Sequence, residues 1–382
     1  MTLTSLSALR PFARSDAFSL GVEEELLIAH PNTLLPLGGT DALLARARPP
    51  ADRVTGEVSD GVLELRTPVC RRTGEAVDVL AALRAELASF TPLIGAGVHP
   101  LGRFGDVRLR QSPRYELIGD SLGALMRQTP HCGVHVHVGM PDAETAVRAC
   151  NGMRKWIPLL QALAANSPYW YGRDSGLSSA RVVICNSFPR AGIPRPFADY
   201  EDFAATVDEL QALGECPDHS FLWWDIRPHP GLGTLEIRAF DAQSSIEDLS
   251  ALVALTHCLV MHEATVPRAF PGPGPEALRE LSFRATRDGL DARLAFDGAL
   301  RPVREVAYRA VAIAGAYAAD LGCWEELMLV HRLLEVGNGA LRQRRNAELG
   351  GVRLMLRRLA DETMLRRPVG AVTAESAPLA AA

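Results

Sequence analysis

Five segments of this 382-residue chain alternate apolar and charged side chains with a period of two, and that pattern constrains the fold more than any other feature. Successive side chains of a β-strand point to opposite faces, so each segment separates into two rows. In "SLGVEEELLI" (19–28), Leu20, Val22, Glu24 and Leu26 share one row, while Glu23 and Glu25 share the other. In "SDGVLELRTP" (59–68), Glu64 and Arg66 oppose Leu63 and Leu65, and in "CGVHVHVG" (132–139), His135 and His137 oppose Val134, Val136 and Val138. "FLWWDIRP" (221–228) sets Trp223, Asp225 and Arg227 against Leu222, Trp224 and Ile226; "TLEIRAFD" (234–241) sets Glu236 and Arg238 against Leu235 and Ile237.

An antiparallel sheet with one wet face accounts for such alternation. The composition of the polar rows argues for more. A solvated face ordinarily mixes Lys, Thr, Ser and Gln, whereas these rows hold metal ligands and phosphate binders. Glu23 and Glu25 have Cα atoms roughly 6.6 Å apart, within reach of shared cations. Hard ions such as Mg²⁺ or Mn²⁺ prefer carboxylate and phosphate oxygens, with imidazole tolerated by Mn²⁺. Glu24, on the apolar row, needs a partner of its own or solvent. His-x-His also occurs in zinc hydrolases, so a metal-dependent hydrolase using His135 and His137 with Glu23 and Glu25 stays open here.

Composition excludes several other chemistries. Lys155 is the only lysine, so neither the G-K-[ST] of a P-loop nor the strand lysine of a protein kinase is present. The seven cysteines are widely spaced with no C-x-x-C pair, which points to reduced thiols. A net charge of -5 without basic runs argues against nucleic acid. No apolar run reaches the ~18 residues of a membrane span and the N-terminus lacks a secretory pattern, so a cytoplasmic location is expected.

Further strands are expected at about 93–99 and 181–186, and helices at about 73–91 and 142–165. From about 245 onward the pattern reads as entirely helical, with helices near 246–265, 275–288, 302–320, 324–336 and 349–363. The proline-rich stretch 187–200 reads as a lid, a binding loop or an ordinary connector. Residues 1–365 are expected to form a single catalytic domain of α+β class, and 366–382 a disordered tail. The apolar faces of the last helices leave a homodimer open.

Taken together, "LGVEEELL", "ELRTP" (64–68), "GAGVHP" (95–100), "SPRY" (112–115), "CGVHVHVG", "NSPYWYGRDSGLSSAR" (166–181), "WWDIRPHPGLGTLEIRAFD" (223–241), "ATRDGLDA" (285–292) and "GALRQR" (339–344) resemble the glutamate-cysteine ligase type 2 family. These are carboxylate-amine ligases that share the glutamine synthetase fold. The resemblance implies a curved antiparallel sheet forming a funnel packed against helices. It also implies ATP-dependent amide formation through an acyl phosphate, with small-molecule substrates such as glutamate and cysteine. By similarity, Glu23, Glu25, Glu64, His135 and Glu236 would hold metal, and Arg238, with Glu64 and His137, would act at the transferred phosphoryl group. His137, Asp225 and Arg227 fall in the substrate or phosphate shell, and Arg173 and Arg181 are candidates for substrate carboxylate or nucleotide. Where the family often has Asn-Arg-Trp-Arg, this chain reads "LSFR", keeping Arg284 and Arg287 as nucleotide- or substrate-binding candidates. A homologue that binds nucleotide without turnover is the remaining alternative.

Overall fold

The computed structural model describes residues 11–365 apart from 107, 215 and 267–271. The alternating segments form one seven-stranded antiparallel sheet in the order Ile226–His229, Thr234–Asp241, Gly133–Gly139, Leu20–Ile28, Val62–Arg66 and Val54–Gly56, with Leu93–Ile94 joining the end of Leu20–Ile28. Its apolar rows belong to the main core, with Val22, Leu65, Val136 and Ile237 at most 1% exposed. Helices Ala143–Met153 and Ile157–Ala164 lie against Ile226–His229 and Thr234–Asp241. Behind them runs Ile246–Thr265, capped by Ser245 and buried on nearly every side.

A second, smaller core gathers Ile118, Leu122, Phe188, Phe197, Phe203 and Trp224. It is built from helix Pro113–Leu122 and the segments around 180–224, and it closes over the charged face of the sheet. Arg84, on helix Thr73–Ala88, is fully buried beneath the opposite face. Its Nε donates to Glu24 Oε2 at 2.8 Å, its Nη2 pairs with the other carboxylate oxygen, and it also donates to the carbonyls of Gln243 (2.7 Å) and Ser244 (3.0 Å). Glu24 therefore takes its charge partner from the helix layer.

Three expectations are corrected. Residues 181–186 are not a strand: Ser179 accepts from the Val182 amide and starts helix Ala180–Asn186, so a good cap overrides the β-branched "RVVIC". The strand expected at 93–99 ends at Ile94, because "GAG" passes close to other backbone. A Cβ at Gly95 would lie 2.3 Å from the Gln243 carbonyl oxygen, and one at Gly97 2.5 Å from the Asp241 carboxyl carbon. Nor is the last third all helix. Arg293–Phe296 and Ala299–Pro302 form a hairpin turning at Asp297-Gly298, both with positive φ, the Asp-Gly signature of a tight turn.

The final helix starts at Gly339 rather than near 349 and breaks at Gly350–Gly351. Helices Thr40–Ala47, Pro113–Leu122 and Tyr200–Ala212 were not anticipated. The 187–200 stretch is tethered by Ala191–Gly192 pairing with Trp223–Trp224 and by buried Phe188 and Phe197. The tail expected to be disordered lies outside the described residues.

Candidate active site

Register brings the charged rows together. Glu23 faces Arg66 on one neighbouring strand and His135 on the other, and Glu25 faces Glu64. His137 faces Gly21 and Glu236, and Glu236 faces Arg227. A band of acids, imidazoles and guanidinium groups thus crosses five strands at one level.

Donor atoms of Glu23, His137 and Glu236 all lie within 4.8 Å of one another. His137 shares a 3.1 Å hydrogen bond with Thr234 Oγ1 through Nδ1. Its Nε2 lies 3.7 Å from Glu23 and 3.9 Å from Glu236, buried and without a hydrogen-bond partner among the described residues. An orphaned imidazole nitrogen between two carboxylates fits a divalent cation. His135, assigned to metal by resemblance, lies outside this triad; its Nδ1 is 3.0 Å from Glu23 Oε2. Burial opposes charge on Glu23, but the hydrogen bond from His135 and the nearby imidazoles of His137 and His135 hold its pKa below the ordinary value. His137 is shifted upward, because Glu236 and Glu23 outweigh its burial.

Glu236 is 1% exposed and receives a bidentate pair from Arg227, Nε at 2.6 Å and Nη2 at 3.2 Å, besides a contact from Arg238 Nη1. These cations outweigh burial and hold its carboxyl well below the usual range. The register shifts between Ile237 and Phe240, and Arg238, beside this irregularity, lines the cavity within reach of Glu236 and His135. Arg227 is further fixed by the His219 carbonyl at 3.0 Å.

Above the band is a cavity of about 260 Å³, lined by Glu23, Glu25, Glu57, Glu64 and Asp225 as well as by Arg114, Arg181, Arg227 and Arg238. Arg181 enters it from the first turn of helix Ala180–Asn186. A buried knot sets that helix. The Asp241 carboxylate accepts from the Asn166 amide (2.8 Å), Ser167 Oγ (2.6 Å) and Ser179 Oγ (2.8 Å). Much of the 166–181 stretch therefore serves to place Arg181, whose buried Nε has no hydrogen-bond partner among the described residues. Burial, followed by the hydrogen bond and charge of Glu57, pushes Glu64 up to about 10. Glu57 is lowered against its own burial by hydrogen bonds from Glu64 and the Val58 amide, so the two share one proton at neutral pH. Burial likewise pushes Asp225 up to about 6, against the opposing pull of Arg181 and Arg238.

Residues 19–365 match the family model described as glutamate-cysteine ligase family 2. The chain belongs to this family. It is 40% identical over 347 residues to a Rubrobacter xylanophilus protein bearing a provisional glutamate–cysteine ligase 2 name, covering 88% of this chain and 92% of that one. It is 36% identical to the Halobacterium salinarum glutamate–cysteine ligase, over 74% of this chain and 82% of that one. The fold matches the crystal structure of the Francisella tularensis glutamate–cysteine ligase in complex with AMP, with a TM-score of 0.67 at 13% identity over 94% of this chain and 91% of that one. The resemblance implied an α+β fold of the glutamine synthetase type, and the antiparallel sheet and helices observed are those of glutamate–cysteine ligase structures; with family membership comes the class of ATP-dependent ligases that form amide bonds.

Within this family member, the structure gathers Glu23, Glu25, Glu64, His135, His137, Asp225, Arg227, Glu236, Arg238 and Arg181 at or beside one cavity. It does not bring Arg173, Arg284 or Arg287 there. Arg173 is exposed in a two-residue strand, Arg284 pairs with Glu280, and Arg287 pairs with Asp288 at the surface. Sequence reasoning missed Glu57, Arg114 and Tyr115 as lining residues. Glu57 begins the strand-like segment expected at about 57–67, where alternation puts it on the row of Leu63 and Leu65 and so away from Glu64; the strand itself starts only at Val62. Arg114 and Tyr115 were visible only as part of "SPRY".

Proposed function

We propose that this protein is an ATP-dependent carboxylate-amine ligase that activates the side-chain carboxylate of an acidic amino acid and joins it to an amine, with glutamate and cysteine as the first pair to test. The observation that carries this reading is the convergence of the Glu23–His137–Glu236 donor triad with Arg227 and Arg238 beneath one cavity. Glutamate–cysteine ligases among the relatives support the same choice of substrates. The acting unit is one catalytic domain spanning residues 1–365.

Phosphoryl transfer needs positioning and charge neutralisation more than a covalent protein group. Glu23, His137 and Glu236, with Glu25 and Glu64 nearby, would hold Mg²⁺ or Mn²⁺, which supplies neutralisation of phosphate charge when bound. Arg238 and Arg227 offer planar donors to phosphoryl oxygens. Arg181 orients an anionic group of the acid or nucleotide from the cavity wall. The substrate carboxylate takes the γ-phosphoryl group, ADP leaves, and the amine nitrogen then displaces phosphate from the acyl carbon. His135 holds Glu23 in place through its 3.0 Å contact.

Purified protein with ATP and Mg²⁺ or Mn²⁺ is expected to release ADP and phosphate only when an acidic amino acid and an amine are both present, with the amide seen by mass spectrometry. Failure of every acid and amine pair to stimulate release would remove this reading.

A further inference from the structure

The cavity has a second character that the charged floor does not use. Ile118 and Leu122, on helix Pro113–Leu122, and Met126, in the 3₁₀ turn Gly123–Arg127, recur every four residues and present one apolar face to it. Val182, Phe188 and Trp223 extend this lining. Trp223 and Asp225, at the break between strands Trp223–Trp224 and Ile226–His229, both line this cavity and so bring an aromatic ring and a carboxylate to one space. Asp225 is held by Gln161 Nε2 at 3.2 Å and by its amide to the Gly192 carbonyl at 2.9 Å, and stands apart from the Glu23–His137–Glu236 donors.

A site built for the small, polarisable side chain of cysteine has little use for six large apolar groups. We propose that the amine substrate carries an apolar body of leucyl or phenyl size, seated against Trp223, Phe188 and the Ile118–Leu122–Met126 face, with its nitrogen at Asp225. This rests on the ligase reading above and narrows its second substrate. The amine nitrogen forms the C–N bond as the acyl C–O bond to phosphate breaks. Phosphate departs with the bonding electron pair, and the two protons shed by the ammonium pass to Asp225 and to the departing phosphate. Asp225, carrying a carboxyl poised near neutral pH, suits the first of these transfers.

The test compares kcat/KM for β-phenylethylamine and isoamylamine with that for cysteine and cysteamine, using ATP, Mg²⁺ and either glutamate or aspartate. The apolar amines are expected to lead by about tenfold or more, the discrimination that one or two buried methylenes supply. Leu122→Ala and Met126→Ala should each lower the ratio of kcat/KM for phenylethylamine over cysteamine by about tenfold. That ratio does not depend on how much of the variant is folded. A preference for cysteine or cysteamine, or an unchanged ratio in both variants, overturns the proposal and leaves the ligase standing. Turnover with no pair at all removes both.

Discussion

Glu23, Glu24 and Glu25 are consecutive, yet the fold gives them separate tasks. Alternation sends Glu23 and Glu25 to the cavity and Glu24 to the interior, where it and Arg84 are both 0% exposed. Two charges taken out of water hold together because Arg84 also satisfies the carbonyls of Gln243 and Ser244, tying the first strand to the segment after Asp241. Removing one partner leaves an uncompensated buried charge. Glu24→Gln should therefore lower unfolding free energy by about 3–5 kcal/mol in urea titrations. The folded fraction should keep its metal-dependent nucleotide affinity. Glu236→Gln should do the reverse in affinity, because it empties the donor triad. Equal loss of affinity in both variants would mean that the two faces are not functionally distinct.

At the scale of elements, much of the site was legible because strands write their faces into sequence. Rows of Glu, His, Arg and Asp two residues apart could be assigned to one side without coordinates, and five such rows meet on one sheet. Two kinds of information were not local. One was which imidazole meets which acid: register sets His137 opposite Glu236 and His135 opposite Glu23, and register depends on neighbouring strands. The other was the helix carrying Arg181, where Ser179 and the distant Asp241 outweigh a β-branched run. The Arg181 guanidinium that this helix carries packs in turn against Gly133. A Cβ there would lie 2.2 Å from Arg181 Nη2 and 2.9 Å from the Phe240 carbonyl oxygen. The guanidinium can swing away, whereas the carbonyl must shift with its strand, so Gly133→Ala should lose some stability and its folded fraction should bind poorly. Its KM for the acid or for ATP should rise about tenfold or more, consistent with the roughly 1.5–3 kcal/mol of a hydrogen bond to a charged group. Arg181→Lys should show the same defect in initial-rate kinetics. An unchanged KM in Gly133→Ala would separate the glycine from Arg181 placement.

For the molecule as a whole, folding concentrates acid. The cavity lining carries five carboxylates against four guanidinium groups, and the buried Glu236 lies at its floor. In metal-free protein part of this charge is removed by a proton. Glu64 titrates at about 10 when folded against an ordinary value of 4.5. The folded state therefore binds a proton that the unfolded chain has lost throughout that window. Stability rises with pH only where the unfolded chain binds more protons, and for Glu64 the inequality runs the other way. Its contribution is thus fully present below pH 4.5 and is progressively lost as pH rises toward 10. Glu23 and Glu236, both lowered, contribute stability that is lost only on acidification below the ordinary carboxylate range. Between pH 7 and 9 they stay ionised in both states and cancel from the comparison. The melting temperature of EDTA-treated protein should fall across that range, and Glu64→Gln, which cannot ionise, should flatten the fall. Added Mg²⁺ should oppose it, since a cation that binds only the folded state stabilises by mass action and competes with the shared proton. A metal-free melting curve equally steep in the wild type and in Glu64→Gln would place the proton elsewhere in the cavity.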